Sequence, residues 1–309
     1  MKTISVVSGT YNEEENVEDL YRQIQAVFAD LPGYHYEHIF IDNSSTDKTV
    51  EVLRNLARTH PNVKVIVNTR NFGPIRSGYY GMLQARGDAV VAMASDLQDP
   101  PALIKDFITE WEKGYKIVLG IKSESEESTL FFALRKIYYR LLRRFADVEL
   151  NINSTGFGLY DASVMEVLRQ IQDPYPYFRG LICEIGFSSA KVYFKQPQRQ
   201  RGLTKSNFYL LYDIAMLGIT EHSKVPLRLA TMFGFATSLL SFGLAIIYLL
   251  YKLLYWKSFS LGIAPLVIGL FFFASVQLFF IGILGEYIGS IHTKVLKRPL
   301  VVEKERINF

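Results

Sequence analysis

The chain has 309 residues, a formal net charge of +4 and a single cysteine, Cys183. That length suits one sizeable domain plus an additional part, and one cysteine excludes a disulfide framework or a cysteine-based zinc site and favours a cytosolic catalytic part. The charge is too mild to argue for nucleic acid but suits a membrane surface or phosphate ligands, and the five histidines show no metal-ligand spacing.

From the N-terminus, MKTISVVSGTYNEEEN turns acidic after one short apolar run, which is not a signal-peptide pattern. Apolar, β-rich runs then alternate with helical patterns. The runs are ISVVS (4–8), HIFID (38–42), VKVIVN (63–68), AVVAMAS (89–95) and KIVLGIK (116–122), and helices are expected near 13–29, 47–58, 75–85 and 101–113. Near-continuous apolar strands separated by helices predict an α/β fold with a mostly parallel sheet covered on both faces. Ligands of such sheets gather beyond the carboxyl ends of the strands. There the chain places TYNEEEN, DNSSTDKT, RNFG and SDLQD in turn, more polarity than turns alone require. Neither GxGxxG nor GxxxxGK[ST] is present, so a nucleotide would be held through carboxylates and a metal.

Residues 128–145 read as an amphipathic helix with Lys136, Arg140, Arg143 and Arg144 on its polar side. It fits a helix lying on an anionic membrane and equally an ordinary solvated surface helix. STGFGLYDASVMEVLRQI follows as a short strand or loop and a helix. A strand then runs into a loop crowded by Arg199, Arg201 and Lys205, which suits either an anion clamp or a solvated juxtamembrane loop. A helix over 206–222 leads to the final part.

No charged residue occurs from Leu229 to Tyr251 or from Ser258 to Gly285. Each run exceeds the roughly 20 residues that cross a hydrocarbon core of about 30 Å. Two transmembrane helices are expected, about 229–251 and 259–285, with Tyr255 and Trp256 at interface depth; a buried soluble hairpin is the alternative. The tail carries Lys294, Lys297, Arg298, Lys304 and Arg306, and Lys224 and Arg228 precede the first span, whereas the link has only Lys252 and Lys257. The positive-inside bias predicts a multi-pass cell-membrane protein with both termini and the large N-terminal part in the cytoplasm. The expected organisation is a catalytic domain over 1–205, a juxtamembrane helix and linker over 206–226, two spans within 227–290 and a basic cytosolic tail over 291–309.

TYNEEEN (10–16), IDNSSTDKT (41–49), RNFG (70–73), SDLQDPP (95–101), STGFGLYD (154–161), RGLTKSNF (201–208) and the two-span tail, in this order, resemble one family. It is the family 2 glycosyltransferases of GT-A fold, specifically polyisoprenyl-phosphate glycosyltransferases of the GtrB or bactoprenol glucosyltransferase type, related to dolichol-phosphate mannose synthases. The resemblance implies that Thr10, Tyr11, Glu13, Asp42 and Arg70 hold the nucleotide sugar. Asp96 and Gln98 would hold Mg²⁺ or Mn²⁺ on its diphosphate. Asp99 would sit near the sugar, and Arg199, Arg201 and Lys205 would close over donor and acceptor phosphates. Three departures stand out: Gly9 replaces a common Pro, Pro74 replaces a common Lys, and Ala94 stands where the metal motif usually has its first acid. An acidic residue often found near Gly156 is also absent, so no catalytic base is placed there.

The resemblance implies inverting transfer of a hexose, glucose from UDP-glucose, to an undecaprenyl-type polyprenyl phosphate. Mannose from GDP-mannose is the second reading, and a catalytically silent membrane scaffold is a third. A processive polysaccharide synthase would show QxxRW; QRQRG at 198–202 lacks the tryptophan. Glycine and serine on the spans are compatible with a homo-oligomer.

Overall fold

A computed structural model describes residues 1–123, 154–197, 208–255 and 263–309. The helix expected over 128–145 and the loop carrying Arg199, Arg201 and Lys205 lie outside the described residues, as do residues 256–262 between the apolar helices.

The first half alternates as expected: β1 (Lys2–Thr10), α1 (Val17–Ala29), β2 (Tyr34–Asp42), α2 (Thr49–Thr59), β3 (Val63–Asn68), α3 (Pro74–Gln84) and β4 (Ala89–Ala94). A 3₁₀ turn at Pro101–Leu103 leads into α4 (Ile104–Glu112), then β5 (Ile117–Lys122). Proline suits that turn because its missing N–H would have no partner at a helix start. The chain continues through β6 (Ser154–Asp161), α5 (Ala162–Gln170), α6 (Phe178–Glu184) and β7 (Ser189–Phe194).

These strands join one sheet in the order β7-β5-β6-β4-β1-β2-β3-β8, where β8 is Glu303–Ile307. Pairing is parallel among β4, β1, β2 and β3 and between β5 and β7; β6 and β8 run antiparallel to their neighbours. Side chains alternate between two cores, as the period of a strand demands. Ile4, Val6 and Phe40 pack with α1, α2 and α4, whereas Val7, Ile39 and Ile41 pack with α3 and α5. A Cβ on Gly81 would come within 2.8 Å of Ile41, so glycine lets α3 lie close on β2. The strand order reverses between β1 and β4, which opens a crevice at their carboxyl ends.

α7 (Phe208–His222) precedes two long helices, α8 (Val225–Leu254) and α9 (Ile263–Val295). Both are long and apolar enough to cross a membrane, and their most apolar stretches are covered by no other part of the described chain. The helices outrun the charge-free runs: α8 starts before Leu229, and α9 continues past Gly285 through Glu286 to Val295. That last stretch docks on the catalytic part. Lys294 Nζ lies 3.2 Å from Asp173 and 3.1 Å from Glu221, and the Tyr212 hydroxyl donates to Glu286 at 3.0 Å.

The chain's end, expected as a basic cytosolic tail, contributes a strand to the sheet. β8 pairs with β3 and completes the sheet edge. Val301 is buried, the Thr69 amide donates to the Val302 carbonyl at 2.9 Å, and Arg54 pairs with Glu305. Charged residues predominate because an edge strand keeps one side in water and resists pairing with other chains.

Candidate active site

Each polar cluster takes its place at the carboxyl end of its strand. Thr10 ends β1 and is buried; its hydroxyl shares a hydrogen bond with Ser95 Oγ at 2.8 Å, joining the β1 and β4 exits. Asp42 ends β2, fully buried, with its carboxylate accepting from the Ser45 amide at 2.9 Å and from the Ser45 hydroxyl. Burial raises its pKa, opposed by the Ser45 bonds. Asn12, Ser44 and Leu97 adopt positive φ of 53°, 64° and 61°, one at each exit of β1, β2 and β4. Non-glycine residues seldom adopt this conformation and do so mostly where function fixes a loop. Three such exits side by side mark the crevice.

The β1 and β2 exits are stitched together by side chains. Asn12 Oδ1 accepts from the Thr46 amide at 2.8 Å, and the Glu13 amide donates to Thr49 Oγ1 at 2.9 Å. Glu13 itself is buried, and its carboxylate accepts from Asn16 Nδ2 at 2.6 Å. It braces the entry to α1, unlike Tyr11, which is half-exposed at the same exit.

A hub that sequence reasoning missed is Asn43. Its Oδ1 accepts from the Phe72 amide at 2.9 Å and from Asn68 Nδ2 at 3.3 Å, while its Nδ2 donates to Asn71 Oδ1 at 2.9 Å. The same Asn71 oxygen accepts from the Gly73 amide at 2.8 Å, where φ is 85° and a side chain would strain the turn. The RNFG turn is thereby bolted to the end of β2. Arg70, at its start, is exposed, and its guanidinium lies 4.0 Å over the Phe72 ring.

At the β4 exit, Asp96 and Gln98 are half-buried and Asp96 Oδ1 accepts from the Gln98 amide at 3.2 Å. Asp99 is buried, and its Oδ2 accepts from the Ala94 amide at 2.9 Å. Burial pushes its pKa up to about 6, opposed by the Ala94 bond, reinforced by Asp96 and relieved in part by Lys122. Beside it, Ser154, Gly156, Tyr160, Phe178 and Arg179 line a recess. Tyr160 senses both the Arg179 and the Asp99 charges. The turn thus brings together Asp96, Gln98 and Asp99; Thr10 and Asp42 lie at neighbouring exits.

Among the described residues no group of three or more His, Cys, Asp or Glu side chains could hold a metal ion. The oxygens that could meet a cation here are those of the Asp96 carboxylate and the Gln98 side-chain carbonyl, because an Asp99 oxygen is already engaged by Ala94. One carboxylate fits a hard cation that takes its other ligands from a diphosphate and water.

The family model described as "Glycosyl transferase family 2" matches residues 5–169, which span every exit described above. The chain belongs to glycosyl transferase family 2. It is a glycosyltransferase, and its mixed sheet is the GT-A catalytic arrangement. Similarity to relatives runs nearly end to end. The "Uncharacterized glycosyltransferase YkcC" of Bacillus subtilis is 33% identical over 96% of this chain and 92% of its own. The SfII prophage-derived bactoprenol glucosyl transferase of Shigella flexneri is 31% identical over 98% of this chain and 97% of its own. The prophage bactoprenol glucosyl transferase homolog of Escherichia coli is 30% identical over 97% and 98%. Among solved structures, mannosyl-3-phosphoglycerate synthase from Rubrobacter xylanophilus superposes with a TM-score of 0.48 at 17% identity, over 70% of this chain and 71% of that one.

Proposed function

We propose that this glycosyltransferase moves glucose from UDP-glucose to a polyprenyl phosphate and works at a membrane surface. The observation that carries the reading is similarity to bactoprenol glucosyl transferases that extends through the apolar helices, not only the catalytic sheet. An acceptor with a long apolar tail cannot leave a bilayer cheaply, at about 0.8 kcal/mol per buried CH₂. An enzyme anchored by two spans meets it there.

Pairing of β8 with β3 supports a two-span topology. The strand after the second helix and the domain before the first share one sheet, so both ends of the hairpin belong to one side of the membrane. The positive-inside bias makes that side the cytoplasm.

In this reading Thr10, Tyr11 and Asp42 border the nucleoside, with Glu13 and Asn43 holding the loops in place. Asp96 and Gln98 would hold Mg²⁺ or Mn²⁺ on the donor diphosphate, where such an ion offsets the charge of the leaving group. The acceptor needs no base: a phosphate monoester has a second pKa near 6 and is largely ionised at neutral pH. Its oxygen attacks the anomeric carbon, the bond from that carbon to the diphosphate oxygen breaks, UDP leaves, and configuration inverts. The obstacle is repulsion between two anions, which cationic side chains relieve. Arg199, Arg201 and Lys205 are proposed for that task on sequence grounds, and Asp99 for contact with the sugar.

Membranes containing the chain, given radiolabelled UDP-glucose or GDP-mannose with polyprenyl phosphate, test the reading. Label from UDP-glucose should enter a lipid product of inverted configuration. Transfer from GDP-mannose alone would reassign the donor, and retained configuration would sink the direct displacement.

A further inference from the structure

Three arginines gather where the RNFG turn meets the C-terminal segment. Arg70 and Arg76 flank one ring, their guanidinium carbons 4.0 Å and 5.2 Å from the Phe72 centroid. Arg76 Nη2 donates to the Pro299 carbonyl at 2.5 Å, which brings the adjacent Arg298 to the same place. Among the described residues no carboxylate pairs with any of the three, although the nearby cations Arg54 and Arg306 each have a glutamate. Arg76 Nε is buried with no hydrogen-bond partner among the described residues. The cluster also stands at the start of α3, whose first amides favour negative charge.

Like charges held together in a partly buried place cost free energy unless an anion joins them. Burial, and then Arg70 with a smaller push from Arg298, lowers the pKa of the Arg76 guanidinium, consistent with that cost. A planar fork of N–H donors matches the oxygens of a carboxylate or a phosphate, and three cations in one place favour the more highly charged phosphate.

We infer that Arg70, Arg76 and Arg298 form a phosphate-binding site at the junction of the RNFG turn and the C-terminal segment, separate from the donor crevice. This moves Arg70 from the nucleotide to a second anion. The ligand chemistry is a phosphate group, carried by a lipid headgroup or free in solution. The site does not depend on which sugar or acceptor the enzyme uses.

The test uses the full chain in two settings. In neutral detergent, inorganic phosphate is titrated calorimetrically at constant ionic strength. In phosphatidylcholine nanodiscs with and without phosphatidylglycerol, retained phosphatidylglycerol is counted by native mass spectrometry. Phosphate binding to the wild type, or preferential retention of phosphatidylglycerol, supports the site and identifies its source. In Arg70→Gln/Arg298→Gln either effect should weaken about tenfold or more. Both side chains are exposed, and an unchanged thermal midpoint verifies folding. Equal binding by wild type and variant overturns the site, as does absence of both effects in the wild type. UDP affinity is measured in parallel; if it falls in step with phosphate affinity, the arginines serve the donor crevice and the separate site is wrong.

Discussion

The buried Asp99 carboxylate reaches back across the SDLQD turn to accept the backbone N–H of Ala94 at 2.9 Å. The position that lacks the family's first acid therefore still anchors the turn, through its amide. Asp96 is half-buried and accepts a longer backbone bond, from the Gln98 amide at 3.2 Å.

Replacing Asp96 with Asn should therefore separate catalysis from folding. Turnover is expected to fall by about 10²-fold or more, while the thermal midpoint in detergent stays within a degree or two. Wild-type activity should vanish with chelator and return with Mg²⁺ or Mn²⁺. Substantial turnover by the variant without added metal would remove Asp96 from the metal site.

Asp99 makes stability depend on pH. Its folded pKa, about 6, lies above the unfolded value near 3.8, so the folded state binds more protons between those values. Stability from this group falls as pH rises through that window and is lowest above it. Asp99→Asn keeps an oxygen for Ala94 and loses the buried charge. Its thermal midpoint relative to wild type should rise between pH 4 and pH 7, by an amount equivalent to at most about 3 kcal/mol. A flat difference would show that Asp99 is better solvated than its burial suggests.

His38 acts with the opposite sign. It is fully buried, donates or accepts at Ser8 Oγ at 3.0 Å, and burial lowers its pKa to about 3. The unfolded chain takes up this proton near pH 6.5 and the folded one does not, so stability falls as pH drops from 6.5 towards 3. His38→Gln should flatten acid unfolding monitored by circular dichroism. An unchanged acid limb would exclude His38 as its cause.

Asn43→Ala strips the RNFG turn of its acceptor for the Phe72 amide and its donor to Asn71. Leaving such buried groups unpaired costs about 1–3 kcal/mol. The expected kinetic mark is a raised KM for the nucleotide sugar with a smaller change in kcat. An equal loss in kcat at unchanged KM would place the role of Asn43, next to Asp42 at the β2 exit, in chemistry instead of donor binding.

The C-terminal strand separates two kinds of contact. Glu305→Gln breaks a half-exposed pair with Arg54 and should cost about 1 kcal/mol or less. Deleting residues 300–309 removes buried Val301 and every β3–β8 hydrogen bond, and should lower the thermal midpoint far more and promote aggregation. Similar midpoints for the two variants would show that the strand contributes little.

The catalytic core was legible because its signals are local. AVVAMA is apolar on both faces and VKVIVN wholly so on one, which reads as buried strand, and the acids of the β1, β2 and β4 exits follow such runs directly. The charge-free runs around α8 and α9 read as spans for the same reason. The bonds that Glu13 and Asn43 make inside their loops were not legible. Their motifs are visible in the sequence, but whether an acid lines a crevice or braces a helix depends on where it points. β8 was invisible because EKERI has the charge of a tail, and only the β3 edge makes it a strand.

The sheet's last strand is made only after both apolar helices. Until residues 303–307 emerge, β3 presents an open edge, and they emerge only after both apolar helices have been made. The catalytic sheet is thus completed only after the apolar helices have been synthesised. A chain stalled before its hairpin is seated keeps a sticky edge that cellular quality control can recognise.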